Sequence, residues 1–203
     1  MRTVSKSTDM SASIAQEIRK YHPAFPEADL QSGLARFKRK EFKARDHILK
    51  AGHRCDYLFL AETSITRCYY LDQEGKEQTL WMKPEQTFIT EYKSFVQQDA
   101  SMFSLQFYED TVAWCIKRAD LLQLYQESND WALFGVQLTE RVHITLIDVF
   151  VNLLANDATR NYQYIEYMFP RFLQVAPLKD IASMLQVSQV TLSRIRAGTQ
   201  TKK

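Results

Sequence analysis

The chain has 203 residues, 45% hydrophobic and 25% charged, with a formal net charge of +2. That composition is ordinary for a globular protein, and the overall charge does not by itself signal a nucleic-acid partner. Three cysteines, Cys55, Cys68 and Cys115, lie far apart with no Cys-x-x-Cys spacing, which argues against a disulfide framework or a zinc site and for reduced, buried thiols of a cytoplasmic protein. Residues 1–10 are polar, so no signal peptide is expected, and no run approaches the 18 apolar residues of a membrane span. The charge is unevenly spread. Residues 156–203 hold seven Lys/Arg, including Lys202 and Lys203, against three acids, giving +4; residues 1–155 carry −2. A basic terminal module behind a slightly acidic body suits contact with phosphate.

Residues 11–34 predict short helices, with Ile14, Ala15 and Ile18 at helical spacing and Pro23 and Pro26 as breaks. From residue 36 to about 117 the texture changes to short alternating segments at 37–43, 57–61, 65–70, 77–82, 102–108 and 111–116. Each has β-branched or aromatic residues at period two. Turn signals at 51–52, 72–75 and 83–85 separate several of them, and strands of this kind predict a β-barrel, roll or sandwich. A short helix is expected over 119–125, then a long one over 130–154.

That long helix carries one apolar stripe through Trp131, Phe134, Leu138, Val142, Leu146, Val149 and Leu153. A second runs through Val136, Ile144, Ile147, Phe150 and Val151. Two stripes require two burial partners, and a second copy of the chain is the expected partner for one of them. Residues 154–157 read as a hinge, with Asp157 placed to cap the next helix by accepting from the amide near Arg160. An aromatic-rich helix follows over 158–169, and Pro170 and Pro177 bracket what reads as a short connection.

Residues 178–196 have the pattern of a helix-turn-helix. Ala182 is small where two helices must touch; Ile181 and Leu185 form the inner face of the first helix, Leu192 and Ile195 that of the second, and Val187 plugs the turn. Ser188 sits where the second helix needs an N-cap. The outward residues Gln189, Val190, Ser193, Arg194 and Arg196 would face a major groove, with Arg194 able to pair with guanine and Gln189 with adenine or phosphate. The hydroxyls of Ser188 and Thr191 suit phosphate oxygens.

The stretch 177–196, with its Ile-Ala-Ser-x-Leu and Thr-Leu-Ser-Arg-Ile-Arg runs, resembles the C-terminal helix-turn-helix of the Crp/Fnr family of bacterial transcription regulators. The order of β-rich region, long helix, hinge and basic helix-turn-helix extends the resemblance over nearly the whole chain. It implies an α+β protein with a cyclic-nucleotide-binding-type β-roll and N-terminal helices at 1–128, a dimerisation helix at 129–155 and a DNA-binding unit at 156–203. It further implies a homodimer, double-stranded DNA as partner, RNA polymerase as a further partner, and no enzymatic activity. Two departures stand in the DNA-binding unit. Gln186 occupies a turn position usually held by Gly, where positive φ costs a residue with a Cβ roughly 1 kcal/mol. Val190 stands where Glu is frequent, and could touch a thymine methyl, so a different DNA preference is expected.

In cyclic-AMP-binding relatives a phosphate cassette runs from Phe-Gly-Glu to an Arg-Ser/Thr-Ala run. The matching segment here is 88–103: Glu91 is retained, Thr90 replaces Gly, and Ser101 stands at the Arg position. Losing that cation removes a bidentate phosphate contact, and Lys93 offers a charge without the fork. Cyclic AMP is therefore not expected to bind, no cofactor is expected, and Glu91, Lys93 and Ser101 are the residues that would line a pocket for another effector. Glu91 reads equally as a solvated loop charge. His22, His47, His53 and His143 lack metal spacing, and no paired His-x-His supports a cupin-like enzyme. His143 is expected at an interface or in the core. The alternative function is a ligand-sensing module acting through a protein partner.

Overall fold

A computed structural model describes residues 5–198; Lys202 and Lys203, counted in the basic tail, lie outside them. Two helices open the chain, α1 (Ser5–Tyr21) and α2 (Glu27–Leu34). Eight strands follow: β1 (Lys38–Phe42), β2 (His47–Leu49), β3 (Tyr57–Ala61), β4 (Thr66–Leu71), β5 (Glu77–Lys83), β6 (Phe88–Ile89), β7 (Ser104–Phe107) and β8 (Thr111–Lys117). A short helix, α3 (Tyr92–Gln97), interrupts them after β6. The strands form two antiparallel four-stranded sheets, ordered β1-β8-β3-β6 and β2-β7-β4-β5. Leu58, Phe59, Ala113 and Cys115 of one sheet share a buried cluster with Leu49, Cys68, Leu105 and Phe107 of the other. This is the β-roll that the alternating segments and the family resemblance together predict.

Turn chemistry explains the register. The Asp72 carboxylate accepts from the amides of Glu74 and Lys76, and Gly75 at φ 76° completes the turn between β4 and β5. Three elements escape the sequence reading: β2 and β6 are too short to show a period, and α3 begins on a glutamate rather than the usual short polar cap.

The helical half begins with α4 (Arg118–Glu127) and α5 (Asn129–Ala155). Trp131, Phe134 and Leu138 on α5 join the core cluster of the roll. The Trp131 indole donates to the Asp29 carbonyl at 2.9 Å and passes so close to Gly33 that a Cβ there would lie 2.1 Å from the ring. Only glycine fits at that crossing. Beyond the hinge come α6 (Ala158–Met168), α7 (Pro170–Val175), α8 (Leu178–Met184) and α9 (Gln189–Arg196). The Asp157 side chain accepts from the Arg160 amide at 2.9 Å, as expected of the cap. The connection expected between Pro170 and Pro177 is instead a helix: Pro170 takes the first helical position, where its missing N–H costs nothing.

Candidate nucleic-acid interface and the cavity behind it

The last two helices lock around the residues that the pattern singled out. Ile181, Ala182, Leu185, Leu192 and Ile195 are all buried in a second core cluster, with Val187 packed against it. The Val187 amide donates to the Ala182 carbonyl at 2.9 Å, closing the turn. Gln186 has φ 55°, the left-handed conformation that a glycine would take there without cost. Ser188 caps α9, its hydroxyl accepting from the Thr191 amide at 3.0 Å and lying 2.9 Å from the Thr191 hydroxyl. The two hydroxyls are thus partly engaged with each other.

The opposite face of α9 is open. Gln189, Val190, Ser193, Arg194 and Arg196 are exposed, Val190 to 62%. Arg194 and Arg196 occupy the last helical turn. An eight-residue helix with one aliphatic face buried and one polar, arginine-bearing face outward has the shape that major-groove readers use.

This module is seated on the roll rather than held away from it. Ile65, Met82 and Tyr108 of the roll belong to the same buried cluster as Tyr162, Ile165 and Phe172 of the helical module. The Ser183 hydroxyl accepts from the Thr79 amide at 2.9 Å and donates to Gln78 at 3.0 Å. Arg67 on β4 pairs with Asp180 on α8 at 3.2 Å, and Arg171 on α7 pairs with Glu85 at 2.7 Å and Glu109 at 2.8 Å. None of these links carried a sequence signal, because each joins residues tens of positions apart.

The segment matching the phosphate cassette has a different use here. Glu91 is only 8% exposed, so it is not a solvated loop charge. Its carboxylate caps α3, accepting from the amides of Lys93 and Ser94, each at 3.0 Å. The Lys93 residue is exposed. Ser101 is buried, its hydroxyl accepting from the Phe103 amide at 2.9 Å and donating to the Phe103 carbonyl at 3.1 Å.

Glu91 also borders a cavity of about 400 Å³ enclosed by β5, the cassette, α5 and the helical module. Lys93 and Ser101 do not line it. Its walls are largely apolar, with Trp81 and Phe88 from the roll, Val142 and Val149 from α5, and Ile165 and Phe172 from beyond the hinge. Lys83, Arg141 and Asn161, which the sequence reading passed over, supply polar groups to it. Among the described residues no three His, Cys, Asp or Glu side chains gather as a metal would require. Among the described residues no helix is long and apolar enough to cross a membrane.

A β-roll of two four-stranded sheets, joined through a long helix to two short helices packed as a helix-turn-helix, defines the architecture. Residues 39–128 match the cyclic nucleotide-binding domain family. No curated protein matches the sequence. Among solved structures, FixK2 from Bradyrhizobium japonicum is similar at 15% identity and TM-score 0.65, over 80% of this chain and 83% of that one. The Thermus thermophilus catabolite activator protein is similar at 20% identity and TM-score 0.55, over 90% and 85%. The c-di-GMP-responsive regulator CLP of Xanthomonas campestris is similar at 16% identity and TM-score 0.61, over 85% and 91%. Residues 39–128 thus carry the match to the cyclic nucleotide-binding domain family, and the chain as a whole shares the fold of these structures.

Proposed function

We propose that this chain is a sequence-specific DNA-binding transcription regulator that acts as a homodimer and does not depend on cyclic AMP. The observation that carries the reading is the outward face of α9, where Gln189, Val190, Ser193, Arg194 and Arg196 stand exposed while Leu192 and Ile195 anchor the helix from behind. In this reading Arg194 pairs with a guanine edge, Val190 meets a thymine methyl, and Ser188 and Thr191 at the start of α9 meet phosphate.

The homodimer is supported by α5. Val136, Ile144, Ile147, Phe150 and Val151, its second apolar stripe, are half exposed or more, and Leu154 is 84% exposed. Apolar side chains in a continuous helical stripe of this length gain most by packing against a second copy. His143 is exposed on the same helix rather than part of the core. Two copies joined along α5 would present two α9 helices to half-sites about one helical turn, or a multiple of it, apart.

Independence from cyclic AMP is supported by the cassette, where Glu91 caps α3, Ser101 hydrogen-bonds within its own loop and no arginine stands at the phosphate position. Selection of bound fragments from genomic DNA, followed by gel shift with the recovered site, tests the reading. Arg194→Ala should remove the specific shift, at a cost of about 1–3 kcal/mol, with the fold unchanged. A wild-type protein that selects no sequence, or an Arg194→Ala variant that binds the site as well as wild type, would overturn it. A micromolar calorimetric signal with cyclic AMP would overturn the last clause.

A further inference from the structure

The outward face of α9 carries one side chain that neither charge nor hydrogen bonding accounts for. From Phe169 onward, Val190 is the one large apolar side chain among the described residues that stands exposed. It sits where Gln189, Val190, Ser193, Arg194 and Ala197 line a shallow depression on that face. The Ser188 hydroxyl caps the first turn by accepting from the Thr191 amide, and a helical valine has one strongly preferred rotamer, so the Val190 methyls are held in place. Arg194 follows one turn later, roughly 5–6 Å along the same face. Base pairs are stacked about 3.4 Å apart, so the two side chains reach the same or neighbouring base pairs. In the major groove the apolar feature a valine can meet is a pyrimidine 5-methyl group, which thymine carries and cytosine lacks.

We propose that α9 reads a pyrimidine 5-methyl group through Val190, beside a guanine read by Arg194, and that 5-methylcytosine is accepted there in place of thymine, so that the chain distinguishes methylated from unmethylated DNA. This rests on the DNA-binding reading and names the chemistry its site selects. Val190 makes no side-chain hydrogen bond, so it does not feel the exchange of the thymine O4 for the cytosine amino group; it feels only the methyl. Gln189 and Ser193 each hold both a donor and an acceptor, so they suit the adenine or the guanine paired with that pyrimidine. A carboxylate on this face would instead select for the cytosine amino group, and α9 carries no acidic residue. Arg194, with donors only, fits the O6 and N7 acceptors of guanine.

The test uses the full chain and the duplex recovered by selection from genomic DNA. Each thymine is replaced in turn by deoxyuridine, which removes the methyl and leaves every hydrogen-bonding atom in place. At one thymine in each half-site the affinity, read by fluorescence anisotropy, should fall about fourfold, the worth of one buried methyl. With that T·A pair changed to C·G, the duplex bearing 5-methylcytosine should bind about fourfold more tightly than the one bearing cytosine. Val190→Ala should erase both differences, a cycle that assigns the methyl to this side chain. Circular dichroism checks that the variant folds, and the two DNA series on the wild-type chain decide the matter if it does not. A duplex in which no thymine is sensitive to loss of its methyl, equal affinity for cytosine and 5-methylcytosine, or a methyl preference retained in Val190→Ala would overturn the proposal while leaving the DNA-binding reading intact. A wild-type chain that selects no sequence overturns both, so the two failures show up in different measurements.

Discussion

Arg67 and Asp180 form an ion pair at 3.2 Å across the junction of roll and helix-turn-helix, with both side chains only 2% exposed. Arg67 also donates to Glu77 at 2.7 Å and Thr79 at 2.9 Å and lies over the Tyr69 ring, while Asp180 accepts from the Tyr108 hydroxyl at 3.0 Å. Burial would raise the Glu77 carboxyl, but the Arg67 guanidinium outweighs it and the net shift is downward. Glu77 still pairs with Arg67 when Asp180 is removed, whereas removing Arg67 leaves Asp180 buried without a cation, so Arg67→Met should lower stability by about 3–5 kcal/mol. Replacing both with apolar residues, Arg67→Met with Asp180→Leu, should recover most of that loss, the remainder reflecting Tyr108 and Glu77 without their partners. Denaturant unfolding of the two singles and the double decides this; a double variant as unstable as the sum of the singles would exclude strong coupling.

The turn between α8 and α9 offers a gain rather than a loss. Gln186 sits at φ 55° with its residue exposed, so nothing but backbone strain distinguishes it from glycine. Gln186→Gly should raise stability by up to about 1 kcal/mol, the relief of the left-handed conformation being partly offset by the greater freedom of glycine in the unfolded chain. Thermal unfolding is the measurement, and a lower midpoint would show that the Gln186 side chain contributes something the geometry does not reveal.

The exposed stripe of α5 makes the assembly testable without DNA. Ile147 is half exposed and Phe150 slightly more, near the middle of the stripe. A charge there would be desolvated by a second copy but not by water, so Ile147→Glu should convert a dimer to a monomer with little change in helical content. Sedimentation velocity reads the mass. If wild type sediments as a monomer at micromolar concentration, α5 does not hold the dimer, and half-site recognition needs another explanation.

The parts legible in the sequence were those with a local signal. The helix-turn-helix was set by spacing alone, because Ile181, Leu185, Leu192 and Ile195 are separated by helical steps and Ser188 and Ala182 fill positions that only small or capping residues suit. The long helix and its two apolar stripes were likewise visible, but which of them the roll covers was not. Strands of five to seven residues showed their period, whereas His47–Leu49 and Phe88–Ile89 did not. Long-range polar pairing was opaque. Nothing near Arg67 in sequence announces Asp180, and Lys83 and Asn161 look like ordinary surface residues until the fold brings them to one cavity. Glu91 was found for one reason and serves another: it persists at the cassette position, yet its carboxylate is occupied in capping α3.

Acid sensitivity should appear first at a histidine in the roll. His47 on β2 lies 2.8 Å from the Tyr69 hydroxyl through its Nε2, and burial, reinforced by Lys50, lowers its pKa below the ordinary imidazole value. A depressed imidazole pKa in the folded state means that the unfolded chain takes up its proton at a higher pH than the folded chain does. Stability from this group is therefore complete above the unfolded value and declines as pH falls through it, levelling off below the folded value. Glu77, whose carboxyl is held below its ordinary value, adds a second loss at more acidic pH, again because the unfolded chain protonates first. Thermal midpoints measured from about pH 8 to about pH 3 should drop in two parts, the first centred near the ordinary histidine value and the second below the ordinary carboxyl value. His47→Gln should flatten that first part and leave the carboxylate step in place. A wild-type profile that stays level between about pH 7 and pH 5 would mean that His47 titrates alike in the folded and unfolded chains, which its burial against Tyr69 argues against.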